Sequence, residues 1–295
     1  MKNYIILIPV YNDWKSAFKL LGNIDLQVAN WGADVSVLIV NDASNDMRPS
    51  SEIVLKNIKS VRVMNMKKNQ GHARCYAAGL KFLTEKENFD YIIPMDGDGE
   101  DRPEELTSLF NKSKENPTKV VTANRIKRSE SLFFKLLYEC HKILTYVFTG
   151  KLIKFGNYSC LPAKSAAKLV KESCIWSSFS GSVAKMISDR VSVPSIRGSR
   201  YFGPSQMSFA NLLIHSFSII AVFRFSVMAR SVLFLFFYLF FIFDNLSIIT
   251  LFPVLAIIVF LFLIFKTSFR ENTEELNNSL ENIRNIETLS DLNGR

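Results

Sequence analysis

Tyr91–Leu106 reads YIIPMDGDGEDRPEEL. Its opening run, Tyr91 to Met95, is apolar and predicts a buried strand. The strand runs straight into Asp96, with Asp98, Glu100 and Asp101 close behind. Residues i, i+2 and i+4 of an extended segment share a face, so Asp96, Asp98 and Glu100 point the same way. Carboxylates crowded like this repel one another unless a cation lies between them. Hard oxygen donors facing a diphosphate suit Mg2+ or Mn2+. Gly97 and Gly99 let backbone or ligand come close. A calcium loop is excluded, because the sixth position from Asp96 is Asp101 rather than Gly and the twelfth is Thr107 rather than Glu. A dinucleotide glycine loop is excluded, because acids stand where phosphate would sit. A solvated helix cap accounts for Pro103, Glu104 and Glu105 but not for the pair at the strand end.

Upstream, the same grammar repeats. Tyr4 to Val10 and Asp34 to Val40 read as buried strands, and Val61 to Met66 as a third. Helical spacing is expected over Lys15–Val28, about Ser51–Lys59, and Ala73–Leu83. Lys119 to Thr122 is again strand-like. Strands alternating with helices imply a mostly parallel sheet with helices on both faces. Ligands of such sheets sit beyond the carboxyl ends of the strands. The polar clusters Asn12/Asp13, Asn41/Asp42 and Asp96/Asp98 fall at those ends.

Downstream, Ser231–Phe265 holds one charge, Asp244, in 35 residues. One helix of that length would run roughly 52 Å, against about 30 Å of hydrocarbon. Asp244-Asn245 is a turn pair, so two spans are expected, about 225–243 and 247–265, joined by a tight hairpin. Arg224 and Arg230 precede the first span, and Lys266 and Arg270 follow the second. By the positive-inside rule both ends and the body face the cytoplasm, a multi-pass protein of the cytoplasmic membrane. The apolar run at the N-terminus is too short for a signal-peptide core. Residues 208–224 are read as an interfacial amphipathic segment. In 266–295, Leu276, Leu280, Ile283, Ile286, Leu289 and Leu292 recur every three or four residues. That predicts a cytoplasmic amphipathic tail with a helical stripe, for self-association into a homo-oligomer or docking on the body.

Composition agrees with this division. The 295 residues carry a net charge of +9, 48% hydrophobic residues including 25 Phe, and a mean hydropathy of +0.13. Disorder and small disulfide scaffolds are excluded. The four cysteines, Cys75, Cys140, Cys160 and Cys174, form no CxxC pair and read as buried thiols in a reducing compartment. From Arg102 to Arg200 there are 18 Lys/Arg against 7 Asp/Glu. A basic middle suits anionic partners. No nucleic-acid-binding signature interleaves it, and a membrane hairpin makes such a role awkward.

IPVYN at 8–12, VNDASND at 40–46, NQGHARCYAAG at 69–79 and MDGDGEDRPEE at 95–105 occur in the order seen in family-2 glycosyltransferases. With the two-span hairpin, the chain resembles the polyisoprenyl-phosphate members, such as dolichol-phosphate mannose synthase and undecaprenyl-phosphate sugar transferases. The resemblance implies a GT-A (Rossmann-like) catalytic domain over 1–207 and a UDP- or GDP-linked sugar donor. It implies an inverting, metal-dependent hexosyl- or N-acetylhexosaminyl-transferase of cell-envelope glycan synthesis, with a polyprenyl-phosphate acceptor. Pro9, Tyr11 and Asn12 would line the nucleotide pocket, and Asp42 would bind base or ribose. Gly71 would admit the nucleotide, and Asp96, Asp98 and Glu100 would hold Mg2+ or Mn2+ on the diphosphate. Arg125 and Arg128, then Arg200 with Gly203 and Ser205, match the segments that bind acceptor phosphate and donor diphosphate. A planar guanidinium donates two hydrogen bonds to phosphate. Asn41 stands where the family often has Asp, and Glu100 where it often has Gln.

Two alternatives stay open on the sequence. A family-2 transferase acting on a glycan hydroxyl would need a base, for which Asp189 is the candidate. A scaffold with a degenerate site is the other, although the intact acids argue against it. His72, His141 and His215 are far apart in sequence and read as structural.

Overall fold

The computed structural model describes residues 1–49, 53–127, 132–204 and 208–292. The first half alternates as expected: β1 (Asn3–Val10), α1 (Trp14–Val28), β2 (Asp34–Asn41), β3 (Ser60–Met66), α2 (His72–Lys86) and β4 (Tyr91–Pro94). There follow α3 (Leu106–Glu115), β5 (Val120–Lys127), α4 (Leu132–Thr149), β6 (Phe155–Pro162), α5 (Ala163–Leu169), α6 (Phe179–Met186) and β7 (Arg190–Ile196). Together with a further strand, β8 (Ile283–Asp291), they build one eight-stranded sheet, ordered β7-β5-β6-β4-β1-β2-β3-β8. β1 to β4 are mutually parallel, and β6 and β8 run against them. Side chains alternate across β1. Ile5 and Leu7 enter the layer with α2, α5 and α6, whereas Tyr4, Ile6 and Ile8 enter the layer with α1 and α3. Both faces are dry, which is why these strands read as unbroken apolar runs.

One expected helix is missing. Ser51 and Glu52 lie outside the described residues, and from Ile53 to Lys59 the chain is not helical. The buried Asp25 carboxylate accepts the backbone N–H groups of Lys56, Asn57 and Ile58 at 2.8–3.1 Å. One side chain thus satisfies three donors and fixes an irregular loop, with Leu55 and Ile58 buried beneath it.

α7 (Phe209–Ala221) leads into α8 (Arg224–Ile242) and α9 (Ile248–Ser268), separated by a turn at Phe243–Asn245. Both long helices are apolar enough to cross a membrane by length and composition. A soluble core pair would be covered, yet Phe240 and Phe252 are each 70% exposed. Only the hairpin base is buried, where Val227 and Ile264 join the core of the body. The pair Arg224–Glu271 closes that base at 2.5 Å. α4 sits beside it: Arg230 Nη1 donates to the Val147 carbonyl and Ser226 Oγ to that of Thr149. The far side of α4 exposes Leu136, Ile143 and Tyr146. Cys75, Cys160 and Cys174 are buried, whereas Cys140 on α4 is exposed.

The tail departs from its expected helix. After the short α10 (Thr273–Asn277) and a turn at Ser279–Asn282, the chain becomes β8, antiparallel to β3. The open edge of β3 offers a row of backbone partners that no isolated helix can match. The spacing misled for a definable reason. The ladder skips Arg284 between the pairs Met66↔Ile283 and Asn65↔Asn285, and skips Leu289 between Arg62↔Thr288 and Val61↔Ser290. Such bulges add a residue to the period of two, so the apolar residues recur at three. The stripe docks on the body, with Leu276 buried, as one of the two expected uses had it.

Candidate active site

The carboxyl ends of β1, β2 and β4 converge on one cleft. Asp96 leaves β4 and is largely buried. Its Oδ1 accepts from Tyr76 Oη at 2.7 Å, from His72 Nε2 at 3.0 Å and from Asn157 Nδ2 at 3.3 Å. Burial alone would raise its carboxyl, but His72 and the Tyr76 hydrogen bond outweigh it and hold Asp96 well below the usual carboxylate range. His72 is raised in return: burial opposes the shift, and Asp96 wins. His72 and Tyr76 are one helical turn apart at the start of α2, both aimed at the end of β4.

Asp98 lies next along the loop. Arg200 bridges it to Asp13, with Nη1 2.5 Å from Asp98 Oδ2 and Nη2 2.6 Å from Asp13 Oδ2. The Arg200 Nε is buried without a partner among the described residues. Glu100 pairs with Arg197. Buried Asp101 donates nothing; its Oδ2 accepts the Asp96 N–H at 3.0 Å, and Arg125 Nη2 stands 3.7 Å from its Oδ1. Burial, then the charges of Asp96 and Glu100, push Asp98 up to about 6. Burial and Asp96 push Asp101 up to about 7 against the pull of Arg125. Burial and the crowding of carboxylates thus act on Asp98 and Asp101 in the same direction, whereas His72 and Tyr76 keep Asp96 ionised.

The loop is held by its glycines and by a strap over it. A Cβ on Gly97 would stand 2.9 Å from the Pro9 carbonyl, and Gly99 has φ +88 with the Tyr201 ring 2.7 Å from any Cβ. The strap, 197–203, donates Gly198 N–H to Glu100 O and Tyr201 N–H to Asp98 O. Tyr201 is anchored by Asn23 at 2.8 Å.

The nucleotide-side residues cluster around β1 and β2. Asn12, at φ +50, donates its N–H to Ser44 and accepts the N–H of Asn45 at 2.7 Å. Asp42 is buried, and its two oxygens take the N–H groups of Gln70 and Gly71 at 2.8 Å. In this structure it ties β2 to the start of α2. Gly71, at φ +92, is the turn that allows this. Tyr11 is 40% exposed at the rim.

The structure therefore brings Asp96, Asp98, Glu100, Arg125 and Arg200 into one cluster, beside Pro9, Tyr11, Asn12, Asp42 and Gly71. Arg128 and Ser205 lie outside the described residues. Among the described residues no three His, Cys, Asp or Glu side chains form a ready metal cage. Each carboxylate instead meets its own cation. Asp189 is corrected: it precedes β7 at the opposite end of the strands, paired with Lys119 at 2.9 Å, and cannot act in this cleft. His72 is corrected too: expected to be structural, it pairs with Asp96 in the cleft. Burial pushes His215 of α7 down to about 4, with the charges of His72 and His141 adding to it and Asp96 opposing. The signal that could have found His72 and Tyr76 is their i, i+4 spacing directly after Gly71.

The chain belongs to glycosyl transferase family 2, whose model matches residues 5–171. It is 29% identical over 219 residues to the undecaprenyl-phosphate 4-deoxy-4-formamido-L-arabinose transferase of Klebsiella pneumoniae (strain 342). That match takes in 72% of this chain but 65% of the relative, so the chain spans under two thirds of its length. Among solved structures, glucosyl-3-phosphoglycerate synthase from Mycobacterium tuberculosis, in complex with Mn2+ and UDP, superposes with a TM-score of 0.51 at 12% identity. The match covers 78% of this chain and 80% of that one. Mannosyl-3-phosphoglycerate synthase from Rubrobacter xylanophilus gives 0.53 at 12% identity, over 75% and 72% of the two chains. At that identity the likeness is one of fold, and the GT-A expectation is met.

Proposed function

We propose that the chain is a membrane-bound inverting glycosyltransferase that moves a sugar from a nucleoside-diphosphate donor to a polyprenyl phosphate. The observation that carries the reading is the Asp13–Arg200–Asp98 bridge at the carboxyl ends of β1 and β4. It sets a guanidinium with a spare buried Nε among crowded carboxylates, where burial and the charges of Asp96 and Glu100 push Asp98 up to about 6. A diphosphate suits the guanidinium, and a divalent cation suits the acids.

The donor chemistry, hard carboxylate oxygens, suits Mg2+ or Mn2+. Asp96, Asp98 and Glu100 would hold it, and it would supply charge neutralisation for the departing diphosphate. The Mycobacterium tuberculosis enzyme of similar fold is in complex with Mn2+ and UDP, which supports a divalent cation here. Arg200 binds the donor diphosphate. Arg125, beside Asp101, faces the acceptor phosphate, and Arg128 joins it on the resemblance alone. An acceptor phosphate with a second pKa near about 6 is mostly ionised at neutral pH. It needs no strong base. Its oxygen forms the bond to the anomeric carbon while the bond to the diphosphate oxygen breaks, inverting the centre, and the nucleoside diphosphate departs. The protein's work is positioning and charge stabilisation.

The long apolar α8 and α9 anchor the body, and the exposed apolar side of α4 beside their base lies on the bilayer surface. There the phosphate of a membrane-embedded isoprenoid comes within reach. The Klebsiella relative is named for transfer to undecaprenyl phosphate, which supports this acceptor class. The donor nucleotide is UDP or GDP, and the sugar a hexose or N-acetylhexosamine. The test is transfer in membranes from a panel of nucleotide sugars to undecaprenyl phosphate, read by mass analysis of the lipid. The panel includes formamido-pentose donors. Transfer should require added metal and vanish in Asp98→Ala while that variant folds and inserts. Undiminished transfer by Asp98→Ala with metal chelated would overturn the metal assignment, and product on a glycan hydroxyl would overturn the acceptor.

A further inference from the structure

Beyond the ends of β2 and β3 lies a cavity of about 510 Å³ whose walls include Asn41, Ser44, Asn65, Lys67, Arg284 and Asn285. Two of these six come from β8, the segment that follows both long helices. The volume lies in the range of small-molecule sites. Its back wall is rigid: Asn41 Nδ2 donates to Asn65 Oδ1 at 2.8 Å, and Asn41 Oδ1 accepts the Ser44 N–H at 3.0 Å. Asn65 Nδ2 in turn donates to Glu287 at 2.9 Å. The amides of Asn41 and Asn65 are thus engaged with one another and with the tail.

The front wall differs. Arg284 is the extra residue of the bulge opposite Asn65 and Met66, so it is released from the ladder at the mouth of the cavity. Bulges of this kind re-aim a side chain. Among the described residues Arg284 has no carboxylate partner, although Arg48, nearby along the sheet edge, is fully occupied by Glu287. The Asn285 amide also has no side-chain partner among them. Lys67 makes one bond, to the Glu281 carbonyl at 2.7 Å, and keeps two donors. Among the described residues no carboxylate lines the cavity. The cavity and Asp96 lie across three inter-strand steps, roughly 14 Å. Between them run Asp42, Gly71 and His72, a continuous hydrogen-bonded wall.

We infer that the tail strand supplies the base-reading wall of the donor site, with Arg284, Asn285 and Lys67 taking a nucleobase that presents ring carbonyl oxygens. The inference rests on the donor reading proposed above and assigns its specificity. A wall whose spare groups are chiefly N–H donors matches the carbonyls of uracil or guanine and leaves the exocyclic amine of adenine facing donors. The membrane anchor and donor selection are then joined through one segment of chain.

The experiment is calorimetric titration of the full chain in nanodiscs, with Mn2+ present, using UDP, GDP, ADP and inorganic pyrophosphate as probes. UDP or GDP should bind at least about tenfold tighter than ADP. Arg284→Ala should lose about tenfold for the preferred nucleotide, Asn285→Ala several-fold, and neither should change pyrophosphate affinity. An unchanged melting temperature establishes that both variants fold. If wild type binds UDP or GDP best and both variants match it, the tail has no such role and the donor reading stands; if ADP binds best, the inference falls together with the assignment of UDP or GDP as donor. If folded wild type binds none of the nucleotides, the donor reading itself fails and the inference falls with it.

Discussion

The two ends of the cleft are built from different chemistry. At the end of β4, four acids meet Arg125, Arg197, Arg200 and His72, all at short range and mostly buried. Beyond β2 and β3 the engaged groups are largely amides, with Asn12, Asn41 and Asn65 bonded to backbone or to each other, beside Lys67 and Arg284. Ionic groups in a low-dielectric setting act strongly on charge that moves. Amides fix shape and hydrogen-bond pattern at small electrostatic cost. On the donor reading proposed above, the first end would serve chemistry and the second selection.

Breaking the charged end should give the largest effect. Arg200→Ala should lower transfer on the order of 10²–10³-fold, and Arg200→Lys should restore little, because one ammonium cannot span Asp13 and Asp98. Initial rates in membranes check this, and near-wild-type Arg200→Lys would reduce the bridge to a point charge. Chelation separates the two ends more sharply. Removing divalent metal should abolish transfer while leaving binding of the uncharged nucleoside within a few-fold, measured by titration with uridine and guanosine. Next in size, Gly99→Ala should destabilise the loop by about 1–3 kcal/mol, through its positive φ and the Tyr201 ring, and lower the melting temperature.

The amide end should respond more mildly. Asn65→Ala strips a partner from both Asn41 and Glu287. It should raise the donor KM several-fold with kcat nearly unchanged, whereas mutations at β4 should act on kcat. The smallest effect is one of pH. Hydrogen bonds from Arg48 and Asn65 hold Glu287 below its ordinary value of 4.5. Its folded pKa is depressed, so its contribution is fully present above about 4.5 and is lost as pH falls through the folded value. The pair is about one third exposed, and the effect is correspondingly small. The melting-temperature advantage of wild type over Glu287→Gln should hold from neutral pH to about 5 and shrink in more acid solution.

Legibility in the sequence divides along similar lines. β1, β2 and β4 are dry on both faces, so their composition alone declares them, and the polar residues at their ends follow by topology. Asp96 and Asp98 were readable because a strand end and a carboxylate pair coincide. Arg284 was not, because its place depends on a ladder formed with β3 after two long intervening helices, and on a bulge that no periodicity encodes. The missing helix near Lys56 was hidden for a similar reason: its competitor, Asp25, lies on another element. Asp42 shows a third case. Its position was evident, but its present work, clamping Gln70 and Gly71, depends on a loop conformation that spacing does not specify.

β8 has a consequence for how the molecule is assembled. A ribosome delivers this strand only after it has made both apolar helices, so β3 must wait as an unpaired edge until they have been made. An unguarded edge is a hazard for unfinished chains. Completion of the sheet is thereby set after synthesis of the two apolar helices: a nascent polypeptide that has not reached Ile283 lacks the strand that closes this edge.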